Sequence, residues 1–492
     1  MKEFSSLKKK TISAVFWSFF DLIANHGIQF IIQIILARLL LPEHFGVIGM
    51  ILVFIAISNS IVDSGFTQAL IRDQHTTQED YSTIFYFNLV MSFILYVMLF
   101  ISSKSISIFF EEPQLVEIIR VLSIVVIINS LAVIQKVMLM KRVDFRTITK
   151  ISMVSSFVSG TITIVVALLG FGVWSLVINM IALQFFQTLL FFFYNRWLPS
   201  FTFNYQSFKR FFGFGSKLLL SGLIDTIYNN IFFFIIGKAY SSIQLGYYSN
   251  AVKFRDLASQ SLASTIQRVT YPVLSAIQED EERLKLGFKR IIRISAFINF
   301  PLLIGLAATA NPLFHILFGE KWIPSVIYFQ LLCFAGMLYP LHALNLNILQ
   351  VKGRSDLYLL IEIIKKSFFS LLILLSFFLK LGIIGLICAA MLNSYVSLFI
   401  NTYFSAKEIA YSFREQLKDL MFPFLISLLM GVSVYLLGDV LPSNHFVQLV
   451  FQIIIGIIIY IGMSKILRIQ ELTVVFELLV PLLSKIKYWS IR

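Results

Sequence analysis

The sequence predicts an all-α polytopic membrane protein of about 14 transmembrane helices. Three observations carry that prediction. First, hydrophobic residues make up 58% of the 492-residue chain and charged residues only 13%, where a soluble domain carries about 25%; the mean hydropathy is +0.85. Second, continuous apolar runs of about 20 residues recur from end to end, each long enough to cross a bilayer. They lack the alternation of barrel strands, and inside hydrocarbon only helices or a closed barrel satisfy the backbone. Third, the Lys and Arg residues behind the net charge of +14 sit mainly in short connectors between those runs. That distribution sets membrane orientation and argues against nucleic acid as a partner.

Taken in order, the spans run 11–37, 45–70, 83–103, 115–138, 150–170, 172–194, 213–237, 254–277, 288–310, 324–349, 357–380, 383–403, 417–438 and 447–467. The basic N-terminus (Lys2, Lys8, Lys9, Lys10) followed by a long apolar run reads as a retained first helix rather than a cleaved signal. An even number of spans puts both termini on one side. The connectors on that side carry Lys141, Arg142, Arg146 and Lys150, then Arg196, Lys209, Arg210 and Lys217, then Arg283, Lys285, Lys289, Arg290 and Arg293. They outweigh the opposite side, with Arg38, Lys104, Lys238, Lys253, Arg255, Lys321 and Lys380, so both termini are expected in the cytoplasm. No outer connector is long enough for a folded domain, and the charged run 278–290 reads as a solvated connector.

An internal repeat divides the chain. Asp21–Asn25 in the first span and Asp225–Asn229 in the seventh share the pattern D-x-I-x-N, and Phe45-Gly46 and Leu245-Gly246 follow downstream. Copies six spans apart have parallel orientation, one known way to build a transporter. The expected organisation is two pseudo-symmetric six-helix bundles, 1–195 and 196–403, with spans 13 and 14 and a basic tail in 404–492.

Polar groups at membrane depth are costly and mark function or partnership. Ser18, Asp21, Asn25, Gln29 and Gln33 form one stripe on the first span, and Ser221, Asp225 and Asn229 repeat it on the seventh. Asn25 and Asn229 serve equally well as helix–helix contacts; the carboxylates Asp21 and Asp225 point to cavity or ion-coupling roles. Arg268 lies mid-span, and its planar fork suits phosphate oxygens; the alternative is pairing with Asp225 or Asp63. Lys365 and Lys366 sit inside the eleventh span beside Glu362, while Arg120 near Glu117 fits an interfacial ion pair or an anion site. His342 and Asn345 in the tenth span read first as packed polar contacts and second as cavity groups, and Asp63 before Gly65 as a helix end. Phe191–Tyr194 and Trp197 fit an interfacial aromatic belt. Cys333 and Cys388 both fall in apolar runs, which argues against a disulfide framework or a Cys/His metal site. No P-loop, dinucleotide fingerprint or H-E-x-x-H is present, so the energy must come from an ion or substrate gradient.

Several segments resemble the polysaccharide transporter family, the Wzx-type oligosaccharide flippases of the multidrug/oligosaccharidyl-lipid/polysaccharide superfamily. They are Ala37–Gly46 (ARLLLPEHFG), Asp63–Arg72, Lys141–Arg146 (KRVDFR), Phe212–Gly215, Ile236–Lys238 and Leu245–Ser249. The resemblance implies two pseudo-symmetric bundles around a central cavity. It also implies an undecaprenyl-pyrophosphate-linked oligosaccharide (an O-antigen, capsule or exopolysaccharide unit) flipped across the bacterial inner membrane by alternating access. Lys365, Lys366, Arg268 and Arg120 are then candidates for the pyrophosphate. Asp21, Asn25, Asp225, Asn229, Asp63, His342 and Asn345 are candidates for the cavity or a coupling cation, Na+ or H+, with no other cofactor. Membrane lipids, a polysaccharide polymerase and the chain-length machinery are the expected partners. The alternatives are an ion-coupled multidrug antiporter of the same superfamily and a membrane polysaccharide polymerase or ligase. Buried cations disfavour cationic drugs, and the short outer connectors disfavour an enzyme; on this reading the chain is not an enzyme.

Overall fold

The computed structural model describes residues 2–477 apart from 64, 74, 442 and 443. The described residues contain helices and no strands. In order they are α1 (Lys2–Leu39), α2 (Pro42–Asp63), α3 (Phe66–Arg72), α4 (Gln78–Phe110), α5 (Leu115–Leu122), α6 (Ile124–Lys141), α7 (Phe145–Leu168), α8 (Val173–Asn195) and α9 (Tyr205–Ala239). There follow α10 (Ser242–Ala276), α11 (Glu281–Ala308), α12 (Ala310–Leu317), α13 (Ser325–Gly336), α14 (Tyr339–Val351), α15 (Ser355–Phe378), α16 (Gly382–Ile409), α17 (Phe413–Val440) and α18 (His445–Ile466). Each expected span coincides with a helix or a broken pair of helices: α2 with α3, α5 with α6, and α13 with α14. Among the described residues 11 spans are long and apolar enough to cross a membrane, and α1, α10 and α15 cover the other three expected segments.

Local chemistry explains where the helices begin and break. Thr77 caps α4 and shares a capping box with Asp80, and Ser412 with Glu415 does the same for α17. Both helices therefore start several residues before their apolar runs. Gly65, at a φ of 68°, closes the join between α2 and α3 in a left-handed conformation that favours glycine. Asp63 Oδ1 accepts from the Thr67 N–H there at 3.3 Å, which bears out the helix-end reading of that residue.

By packing, the chain divides into two units, Met1–Ser249 and Asn250–Arg492. The sequence places a boundary in the connector after Asn195; the packing places it inside α10, because α9 lies against α2, α3 and α4. The connector itself is tied down: Gln135 Nε2 donates to the Trp197 carbonyl at 2.8 Å, Trp197 Nε1 to Gln78 Oε1 at 2.6 Å, and the Asn204 N–H to Thr83 at 3.0 Å. Trp197 is thus buried against α4 and α6 rather than part of an aromatic belt, and Phe191 is buried too. In the second unit α11 packs on α17 and α13, α16 on α15, α14 and α13, and α18 on α17 and α12. The third segment expected after residue 403 is therefore built into this unit. A cluster around Asp419 joins α11, α17 and residue Glu471. It takes Lys289 at 3.0 Å and the Tyr411 hydroxyl at 2.6 Å, while Arg293 reaches Glu471 at 2.5 Å. Burial and the Asp419 charge push the Tyr411 phenol well up.

The first turn of α10 corrects two expectations. The sequence starts this span at 254 and counts Lys253 and Arg255 with the outer charges; the helix begins at Ser242. Lys253 and Arg255 consequently lie inside it, and removing them from the outer connectors sharpens the charge asymmetry. The repeat register also moves. Gly46 and Gly246 occupy the same position in the first turns of α2 and α10, each after a connector of the same length following α1 and α9. Counting back equally from the two glycines sets Asn25, not Asp21, opposite Asp225, and Gln29 opposite Asn229. The D-x-I-x-N match is offset by one helical turn.

Candidate functional site

Within the first unit the two repeated hairpins meet directly. A Cβ built on Gly46 would overlap the Ser242 carbonyl, and one on Gly246 would overlap the Pro42 carbonyl. The contact is reciprocal, backbone against backbone, and only glycine permits it on either side. At the same end Lys238 bonds Glu111 at 2.9 Å and lies 5.1 Å from the centre of the Phe109 ring, which stacks on Phe234. The Lys238 ammonium holds the exposed Glu111 carboxyl below its usual range.

The polar stripe on α1 divides by role. Asn25 Oδ1 accepts from Ser156 Oγ on α7 at 2.6 Å and from Gln29 Nε2 at 3.3 Å, a helix–helix contact. Asp21 is half-buried one turn away, and the side chain of Ser18 lies outside the described residues. On α9, Asp225 and Asn229 are exposed on one face, near the middle of the span Leu218–Ala239. Polar groups at this depth face water-filled space rather than lipid.

The second unit holds charges. Lys366 stands at the middle of α15, 3.9 Å from Glu362, and Lys365 lies 2.5 Å from the same carboxylate. The triad is mostly shielded, with side-chain exposures of 12% for Lys365, 18% for Lys366 and 22% for Glu362. Arg268 lies on α10, but its side chain is outside the described residues. His342 Nε2 bonds Ser394 Oγ at 3.0 Å, and its Nδ1 lies 3.4 Å from Asn401 Nδ2, so both ring nitrogens are engaged by α16. Asn345 is fully buried, accepting from Ser405 Oγ at 2.6 Å and bonding Gln416 at 3.5 Å. His342 and Asn345 therefore join α14 to α16 and α17 as packed polar contacts. Arg120 does not pair with Glu117: its Nε reaches Ser103 Oγ at 3.1 Å and its guanidinium lies over Phe100.

Sequence reading missed Arg255 as an interior group. It lies about 20 Å along α10 at roughly 1.5 Å per residue. It is buried, 2.6 Å from Asp256 and 2.9 Å from the Tyr339 hydroxyl. The signal was present in the adjacent opposite charges of Arg255 and Asp256, which suit an internal pair as well as a loop. An apolar groove of about 460 Å³ also opens along α11, α17 and α18, lined by Pro301, Gly305, Met430, Gly456 and Tyr460.

These features define a multi-pass α-helical membrane protein whose interior carries ion pairs and amides at bilayer depth, as transport proteins do. The chain belongs to the polysaccharide biosynthesis protein family, which it matches over residues 35–327. It is similar to the teichuronic acid biosynthesis protein TuaB of Bacillus subtilis, 29% identical over 78% of this chain and 80% of the relative. It is also similar to the lipopolysaccharide biosynthesis protein WzxC of Escherichia coli, 25% identical over 89% and 90%. Its fold is that of the lipid II flippase MurJ in an inward closed conformation, with a TM-score of 0.75 at 17% identity over 93% of this chain and 98% of that one. An inward-facing MATE family transporter of the MOP superfamily superposes with a TM-score of 0.62 over 79% and 94%.

Proposed function

We propose that the chain flips an oligosaccharide carried on undecaprenyl pyrophosphate from the cytoplasmic to the outer leaflet of a bacterial inner membrane, with both termini in the cytoplasm. The observation that carries this reading is the pair of ammonium groups, Lys365 and Lys366, held with Glu362 at the middle of α15. A charge at that depth is expensive and is kept for a ligand or a coupling step. Ammonium groups suit the pyrophosphate of such a lipid, and Arg268 on α10 belongs to the same reading. The polyprenyl tail stays in hydrocarbon, where the groove along α11, α17 and α18 gives it an apolar surface. The reciprocal Gly46–Gly246 contact is the outer closure, which must separate when the sugar leaves. Asp21 and Asp225 are the groups to which we assign a coupling cation, Na+ or H+, and a polysaccharide polymerase is the partner that would receive the product. Relatives named for teichuronic acid and lipopolysaccharide biosynthesis support the substrate class.

The test is transport by purified protein in liposomes. Lipid-linked saccharide should become accessible on the far leaflet with the intact chain, and Lys365→Gln and Lys366→Gln should each slow it. Ion-coupled efflux of cationic dyes in place of saccharide transport would make the chain an antiporter instead.

A further inference from the structure

The middle of the first unit holds a chain of three amides from three different helices. Gln184 is the central residue of α8. Asn129 and Asn59 lie within two residues of the centres of the spans Leu115–Lys141 and Pro42–Arg72. Gln184 Nε2 donates to Asn129 Oδ1 at 3.1 Å, and Asn129 Nδ2 donates to Asn59 Oδ1 at 3.0 Å. All three side chains remain half-buried rather than sealed. Each link consumes one donor and one acceptor. The chain therefore ends in an open carbonyl oxygen at Gln184 and an open NH₂ at Asn59, neither bonded elsewhere among the described residues.

Hydrocarbon offers such groups nothing, so their accessible ends must border water or a polar ligand. A neighbouring amide makes the same demand. Asn88 on α4 is fully buried with neither amide atom bonded to protein. It lies one turn from Ser92, whose hydroxyl donates at 3.0 Å to Ser130, the residue after Asn129. A buried amide without a protein partner needs a water or ligand beside it.

We propose that the Asn59–Asn129–Gln184 chain recognises the hydroxyl groups of the saccharide. An amide presents donor and acceptor in one fixed plane, and a ring hydroxyl supplies one donor and two acceptor positions. The open ends of the chain can thus give a hydrogen bond to one hydroxyl and take one from another. No charged group takes part in the chain, which fits a neutral sugar; a phosphate is held by Arg or Lys. Sites built to hydrogen-bond a hydroxyl discriminate strongly, because a ligand lacking it leaves the site's own polar groups unpaired. This inference rests on the flippase reading and places recognition of the sugar in the first unit.

The experiment uses the full-length protein in nanodiscs and four probes: bare undecaprenyl pyrophosphate, and the same lipid bearing glucose, galactose or N-acetylglucosamine. The intact protein should bind at least one glycolipid about tenfold more tightly than the bare lipid. Gln184→Ala and Asn59→Ala should each erase that preference while leaving bare-lipid affinity unchanged and lowering thermal stability no more than loss of one interhelical bond does. Asn59→Ala keeps the Gln184–Asn129 bond, so it separates recognition from packing. A preference that survives both substitutions overturns the proposal, as does equal binding of all four probes by the intact protein. Loss of bare-lipid affinity in both variants assigns the chain to helix packing and also overturns it. If the intact protein binds none of the four probes, the flippase reading itself fails.

Discussion

The two units solve the same problem, polar groups in a hydrocarbon layer, with different chemistry. The first meets the bilayer centre with amides and hydroxyls (Asn25 with Ser156, and Asn59 with Asn129 and Gln184) and with the carboxylates Asp21 and Asp225. The second holds ion pairs inside its helices, Arg255 with Asp256 on α10 and Lys365 and Lys366 with Glu362 at the middle of α15. Neutral amides hold position through directional bonds of modest strength, whereas an ion pair loses much more when one partner is removed. The difference teaches that two packing units of one helical chain can meet the same demand with separate ligand chemistry, while the repeated glycine hairpins, Gly46 and Gly246, both sit in the first unit. On our reading the amides serve the sugar and the cations the pyrophosphate.

The largest effect should come from breaking the geometry that the repeats share. Gly46→Val or Gly246→Val places a side chain on a backbone carbonyl that cannot swing aside, and transport should fall by about a hundredfold or more. Cysteines introduced at the two hairpins would then lose their crosslinking. Next, Lys366→Gln should slow saccharide flipping by about tenfold to a hundredfold, in line with loss of a charge-assisted contact. The loss should be equal for bare and glycosylated lipid, in contrast to Gln184→Ala. Third, Asn345→Ala removes one buried partner each from Ser405 and Gln416, leaving both side chains with Thr402 alone among the described residues, and should cost about 1–3 kcal/mol of stability, read as a lower unfolding temperature with transport spared at low temperature. The smallest effect is Asn25→Ala, which removes one interhelical bond worth about 0.6 kcal/mol on average within membranes.

Much of the architecture was legible because hydropathy reports the bilayer directly: every expected span coincides with a helix. Boundaries were less so. Lys253 and Arg255, counted with the outer charges, masked the first part of α10, since an internal ion pair and a solvated connector have similar composition. The repeat was visible in Gly46 and Gly246, but a short polar motif dominated the alignment and shifted it by one turn. Of the candidate site, Lys365 and Lys366 were readable because two adjacent lysines inside an apolar run are conspicuous. The chain Asn59–Asn129–Gln184 was not, because its residues lie far apart in sequence and an isolated intramembrane amide says nothing of its partner. Trp197 misled for a related reason: its composition suits an interface, while its indole N–H is spent on Gln78.

The most direct test of the central claim is a flipping assay in liposomes, comparing the intact chain with Lys366→Gln and with Lys366→Arg. Our account predicts saccharide-lipid transport by the intact chain, a strong loss in Lys366→Gln and substantial retention in Lys366→Arg. Unimpaired transport in Lys366→Gln, with the protein folded and inserted, would contradict it.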